Sequence, residues 1–107
     1  MKINSRRRYE ILLPIRYNDG TPVEPHKFFE TQEELVAAFG AVTTSPEFLR
    51  GVWLHDGQRY EDQHLRLVLD IEPTTENRAF LMEMKERLKT RFRQIDIWIV
   101  SYEIELL

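Results

Sequence analysis

Four residues able to do chemistry stand at alternate positions in the middle of the chain: Tyr60, Asp62, His64 and Arg66. In an extended strand, alternate side chains leave the same face about 7 Å apart, within reach of one another. An aspartate beside a histidine can hold the imidazole in one orientation, and a tyrosine or arginine can stabilise developing negative charge. With His64 as base and Asp62 orienting it, such a row would suit proton transfer on a small acidic or phenolic substrate. The same row is what a solvated antiparallel sheet carries when its charges offset each other, and that simpler reading is preferred.

A hairpin sets the face on which these residues stand. Asp56-Gly57 reads as the two central residues of a type I′ turn, which supplies the positive φ angles that this turn needs. On that register Trp53 faces Tyr60, Val52 faces Glu61 and Leu49 faces His64. Side-chain alternation then separates a core face (Phe48, Val52, Leu54, Leu65, Leu67, Leu69, Ile71) from an outer one (Trp53, His55, Tyr60, Asp62, His64, Arg66, Val68). His55 and the position opposite His64 are six residues apart, about 20 Å, so the two histidines cannot share one metal ion. No metal site and no cofactor are expected. Trp53 and Tyr60 form a cross-strand aromatic pair, and Trp98 and Tyr102 put further aromatic surface on the last strand. The expected binding or interface residues are therefore Trp53, Tyr60, His64, Trp98 and Tyr102.

The flanking elements must support that sheet. Tyr9, Ile11, Leu13, Ile15 and Tyr17 alternate with Arg8, Glu10, Leu12, Pro14 and Arg16, a strand with one apolar face that should end or bulge at Pro14. Residues 21–30 contain Pro22 and Pro25 and read as a loop, with Phe28 and Phe29 folded back as core plugs. Thr31-Gln32-Glu33-Glu34 reads as a capping box opening a short helix over 32–39, closed by Gly40, with an irregular stretch beyond it through Ser45-Pro46. After Pro73, Thr74 or Thr75 caps a second helix whose buried stripe is Phe80, Leu81, Met84, Leu88 and Phe92. The β-branched and aromatic segment 95–107 closes the chain as a strand apolar on both faces, which predicts cover on both sides.

The order strand, helix, strand, strand, helix, strand resembles the α+β ferredoxin-like α/β-plait (βαββαβ). That resemblance implies a four-stranded antiparallel sheet with two helices on one face, spanning 1–107 as a single domain, with 1–7 a loosely ordered N-terminal arm. One sheet face would then be bare, and its surplus apolar surface predicts a lid or a second subunit, a homodimer packing through the sheet being the simplest case.

Composition narrows the function classes. A net charge of −3 gives no long-range pull toward nucleic acid or anionic membrane. The third strand lacks the glycine-and-aromatic pattern of RNA-recognition modules and carries acids. The basic stretch Lys85–Arg93 alternates with Glu83 and Glu86, with a Glu83–Arg87 pair expected on a solvated helix face. The absence of cysteine excludes a catalytic thiol and leans toward a reducing cytoplasm. No glycine-rich phosphate loop, nucleophile elbow or zinc-protease helix occurs. The sequence thus describes a small cytoplasmic binding or interaction module, self-associating and open to a small ligand or protein partner. The alternative is an enzyme with a pocket around Tyr60, Asp62, His64 and Arg66.

Overall fold

The computed structural model describes residues 5–45 and 49–107, with 49–55 and 58–62 placed by their backbone alone. The elements are β1 (Ser5–Pro14), α1 (Pro25–Phe39), β2 (Thr43–Thr44), β3 (Leu49–His55), β4 (Gln58–Ile71), α2 (Thr75–Arg91) and β5 (Ile99–Glu105). β1 lies between β4 and β5, antiparallel to both, and β2 and β3 pair in turn with the other side of β4. Both helices pack on one side of this sheet, giving the ferredoxin-like α+β fold.

Alternation decides which side that is. Tyr9, Ile11 and Leu13 of β1, with Leu67, Leu69 and Ile71 of β4, are buried against Leu35 of α1 and Leu81, Met84 and Leu88 of α2. At roughly 1.5–3 kcal/mol for each fully buried large aliphatic side chain, this layer is the main source of stability. α2 begins as expected: the Thr74 hydroxyl accepts the Asn77 N–H at 3.1 Å. Its buried stripe matches the sequence, with Phe92 enclosed just past the helix end and Phe80 packed at the margin. No helix among the described residues is long and apolar enough to cross a membrane.

Four expectations fail here for definable reasons. α1 starts at Pro25, not near Gln32, because proline is well suited to the first helical position, where its missing N–H leaves no bond unmade. Thr31 is therefore a mid-helix residue and fully buried, and Glu34 turns to Arg91 instead of closing a capping box. Phe28 does pack on Phe92, centroids 5.4 Å apart, but Phe29 faces the other way on the helix and is 64% exposed. β5 is an edge strand covered on one side only, so Trp98, Val100 and Tyr102 are exposed. Strand pairing also begins at Ser5, which draws residues 5–7 of the expected arm into the sheet. Gly40, at φ +84°, ends α1 in the left-handed conformation and donates to the Val36 carbonyl, as its position suggested.

The hairpin holds its expected register: Trp53 lies opposite Tyr60 and Leu49 opposite His64. Asp56 and Gly57 have φ of 50° and 77°, the two positive values of a type I′ turn. β1 ends at Pro14, opposite His64, and Ile15 still reaches the Gln63 carbonyl, so β4 runs on for Gln58–Asp62 with β3 beside it. This two-stranded arm helps to explain a long axis of 51 Å against 28 and 25 Å, and a radius of gyration of 15.0 Å, where a compact domain of this size has about 13 Å.

Candidate functional site

The bare side of the sheet carries a connected row of charged and aromatic groups. Arg8 of β1 lies opposite both Asp70 of β4 and Tyr102 of β5, and Glu10 lies opposite Val68 and Val100. These side chains therefore leave the face away from the helices. The Arg8 guanidinium donates twice to the Asp70 carboxylate, at 2.7 and 2.8 Å, and stands across from Tyr102. Tyr102 donates to Glu10 Oε2 at 2.6 Å, and Arg66 donates to Glu10 Oε1 at 3.0 Å. Asp70, Arg8, Tyr102, Glu10 and Arg66 thus form one zigzag across three strands.

The row's electrostatics are closed upon themselves, with two guanidiniums facing two carboxylates. The bidentate contact with Arg8 holds the Asp70 carboxyl below the ordinary aspartate range. The Tyr102 phenol is pushed up, chiefly because it donates to Glu10 and would lose that bond on ionising. Glu10 is the most sheltered member, its side chain 13% exposed, while Nε of Arg66 is enclosed without a hydrogen-bond partner. Beside the row on the same face stand Val100 of β5 and Trp98, the latter 65% exposed. No group of three metal-ligating side chains occurs among the described residues.

The sequence-derived candidates divide into four sets. Arg66 and Tyr102 come together, through Glu10. His64 sits half-buried opposite Pro14, at the end of β1. Trp98 is exposed at the edge of the same face. Asp62 and Tyr60 occupy the arm, opposite Gly51 and Trp53, and their side chains, like those of Trp53 and His55, lie outside the described residues, as do those of Phe48, Val52 and Leu54. Among the described residues, Arg66 is joined to Glu10 of β1. Glu10 was overlooked because it counted as the polar half of an alternating strand. The signal was present nonetheless: an acid flanked two residues away by Arg8, in a strand that the βαββαβ order makes central.

A second polar cluster joins the two helices. Arg91 donates to the buried Thr31 hydroxyl at 2.8 Å and to Glu34, and Lys27 donates to the Arg91 carbonyl at 2.8 Å and to the Tyr17 phenol. Arg87, expected to pair with Glu83, lies 3.7 Å from Glu34 and over the Phe80 ring. Lys85 and Lys89 pair with Asp96 and Glu86. With these bases engaged in this way, the Lys85–Arg91 stretch of α2 is an ion-paired helix face. A shallow groove of about 580 Å³ beside it is lined by Glu30, Glu86, Arg87, Thr90 and Arg91.

No family model and no curated protein sequence matches this chain. Among solved structures it is similar to a phage SAM lyase in complex with S-methyl-5′-thioadenosine. That match has 11% identity over 94% of this chain and 90% of the other, with a TM-score of 0.66. It is also similar to the divalent cation tolerance protein CutA1 of Thermus thermophilus, at 22% identity, 92% and 84% coverage and a TM-score of 0.61. CutA1 of Oryza sativa matches at 12% identity, 96% and 82% coverage and a TM-score of 0.62. At these identities the likeness is one of fold, and it extends over nearly the whole chain.

Proposed function

We propose that this protein is a small, single-domain binding module of the cytoplasm that self-associates through its sheet, in the simplest case as a two-fold homodimer. The observation that carries the reading is the uncovered sheet face, where Trp98, Val100 and Tyr102 are exposed around charges already paired to one another. Pre-paired charges lower the desolvation cost of covering the face, because no ion is left without its partner. Exposed aromatics are the side chains that interfaces most often use as anchors. The overall likeness to proteins named for divalent cation tolerance supports a small module, and the cysteine-free sequence supports a reducing compartment.

Sedimentation equilibrium at tens of micromolar tests the reading. The protein is expected to sediment as more than one copy, and Trp98→Lys is expected to weaken association by about tenfold or more. A wild-type monomer at that concentration overturns it.

The second reading, an enzyme using His64, Asp62, Tyr60 and Arg66 on a small molecule, draws support from the likeness to a lyase solved with a nucleoside ligand. It is the weaker of the two because Arg66 is engaged by Glu10. Calorimetric titration with S-methyl-5′-thioadenosine separates them: saturable heat favours the enzyme, and its absence favours the interaction module.

A further inference from the structure

Hydrogen-bond phase shows what the two outer strands still offer. Leu12 donates to the Trp98 carbonyl, in register with the β1–β5 ladder, so Trp98, Val100, Tyr102 and Ile104 direct their backbone groups toward β1. The N–H and C=O groups of Ile99, Ser101, Glu103 and Glu105 then point outward from the sheet. On the opposite side, Ile15 donates to the Gln63 carbonyl, which fixes the odd-numbered residues of β4 as those facing β1. Its even-numbered residues face β3, and in the hairpin register Arg50, Val52 and Leu54 of β3 direct their backbone groups outward. Among the described residues, no strand pairs with either outer edge.

These two edges match. Each strand is seven residues long. β3 carries Arg50 and His55 and no acid, whereas β5 carries Glu103 and Glu105 and no base. Each mixes those charges with β-branched or aromatic residues: Val52 and Trp53 in one, Ile99, Val100, Tyr102 and Ile104 in the other. β3 also stands on the arm that extends past the end of β1. Long unpaired edges invite pairing with another chain.

We propose that β3 of one copy pairs with β5 of a second copy, so that the sheet continues from molecule to molecule through backbone hydrogen bonds. The inference rests on the self-association reading and assigns the contact to the edges of the sheet, not to its bare face. A reciprocal exchange of arms closes it as a two-fold dimer, and a head-to-tail exchange closes it as a ring. Opposite charges on the two strands favour this pairing over β3 with β3 or β5 with β5, each of which sets like charges together.

Proline at an outward-facing position removes one intermolecular donor while leaving the intramolecular ladder intact. Glu103→Pro and Val52→Pro are expected to keep the wild-type circular dichroism spectrum and to weaken association at least tenfold by sedimentation. Each variant retains one intact edge, so mixing them is expected to restore a one-to-one pair. Arg50→Glu is the milder probe should Val52→Pro lose its fold, and it too is expected to dissociate the assembly, with association recovered on adding Glu103→Arg. If the wild type associates and all these folded variants associate equally well, the edge pairing is overturned while sheet-mediated self-association stands. A monomeric wild type overturns both.

Discussion

Replacing Thr31 with valine separates two accounts of α1. The side chain is fully buried, its hydroxyl donating to the Lys27 carbonyl and accepting from Arg91, each at 2.8 Å. Valine has nearly the same volume, so no cavity forms. The bond to Lys27 is of small consequence, because that carbonyl already lies within the helical ladder. The bond from Arg91 matters more, since its donor is charged and its side chain only 12% exposed. A hydrogen bond to a charged group contributes about 1.5–3 kcal/mol. Glu34 keeps the other end of the guanidinium paired, which places the expected loss near the lower end, at about 1.5–2 kcal/mol. For a domain of this length that is a fall of roughly 6–10 °C in melting temperature. The assay is urea unfolding followed by circular dichroism, run as a double-mutant cycle with Arg91→Met. A coupling energy of about 1–2 kcal/mol is expected between the two sites. A Thr31→Val loss within about 0.5 kcal/mol of zero, or additivity in the cycle, would refute the bridge between helices. Were Thr31 instead a capping residue, Arg91→Met would leave the valine effect unchanged.

Two further outcomes follow from the core and from the carboxylates. Leu88→Ala removes a fully enclosed side chain of α2 and is expected to cost about 2–5 kcal/mol in the same urea assay, and a cost under about 1 kcal/mol would contradict its burial. Glu24 accepts from the Tyr17 phenol and lies beside Lys27, and the Tyr17 bond in particular lowers its carboxyl from 4.5 to about 2. A depressed carboxylate stabilises the fold fully above its unfolded value, and the contribution is lost as pH falls through the folded one. Melting temperature should therefore hold steady down to about pH 5 and fall between about 4.5 and 2, with Asp70 adding to the fall in the same direction. Glu24→Gln should flatten that slope, and parallel acid profiles for the two proteins would show that Glu24 does not contribute.

What the sequence disclosed, it disclosed through periodicity and turn chemistry. Asp56-Gly57 set the hairpin register residue by residue, Thr74 and the Phe80-Met84-Leu88 stripe placed α2, and Pro14 marked the end of β1. Each of these signals is local, and the structure agrees with each. The start of α1 was hidden because Pro25 ends a helix at most positions and begins one only at the first turn, a distinction that depends on where the chain is going. The Thr-x-x-Glu pattern at Thr31 then offered a plausible false start. The polar row on the bare face was half visible: strand alternation placed Arg66 and Tyr102 outward, but their meeting at Glu10 depends on β1 lying between β4 and β5. That relation joins residues more than fifty positions apart, and no window along the chain contains it.

The central place of β1 also governs the order in which the protein folds. The hairpin needs only its own turn to close, and strand pairs of this kind form in about 1–10 μs. β1 must wait for partners far along the chain: Glu10 accepts from Arg66, 56 residues on, and Arg7 donates to Ser101, 94 residues on. Closing such loops costs chain entropy before any contact repays it, which slows folding relative to a helical bundle of the same size. During synthesis, β1 leaves the ribosome before the other strands described here and is therefore among the last of them to be seated. Its apolar row, Tyr9, Ile11 and Leu13, stays open until the helices that cover it are seated, α2 the later of the two. In the nascent chain that interval is when these residues are most exposed to aggregation.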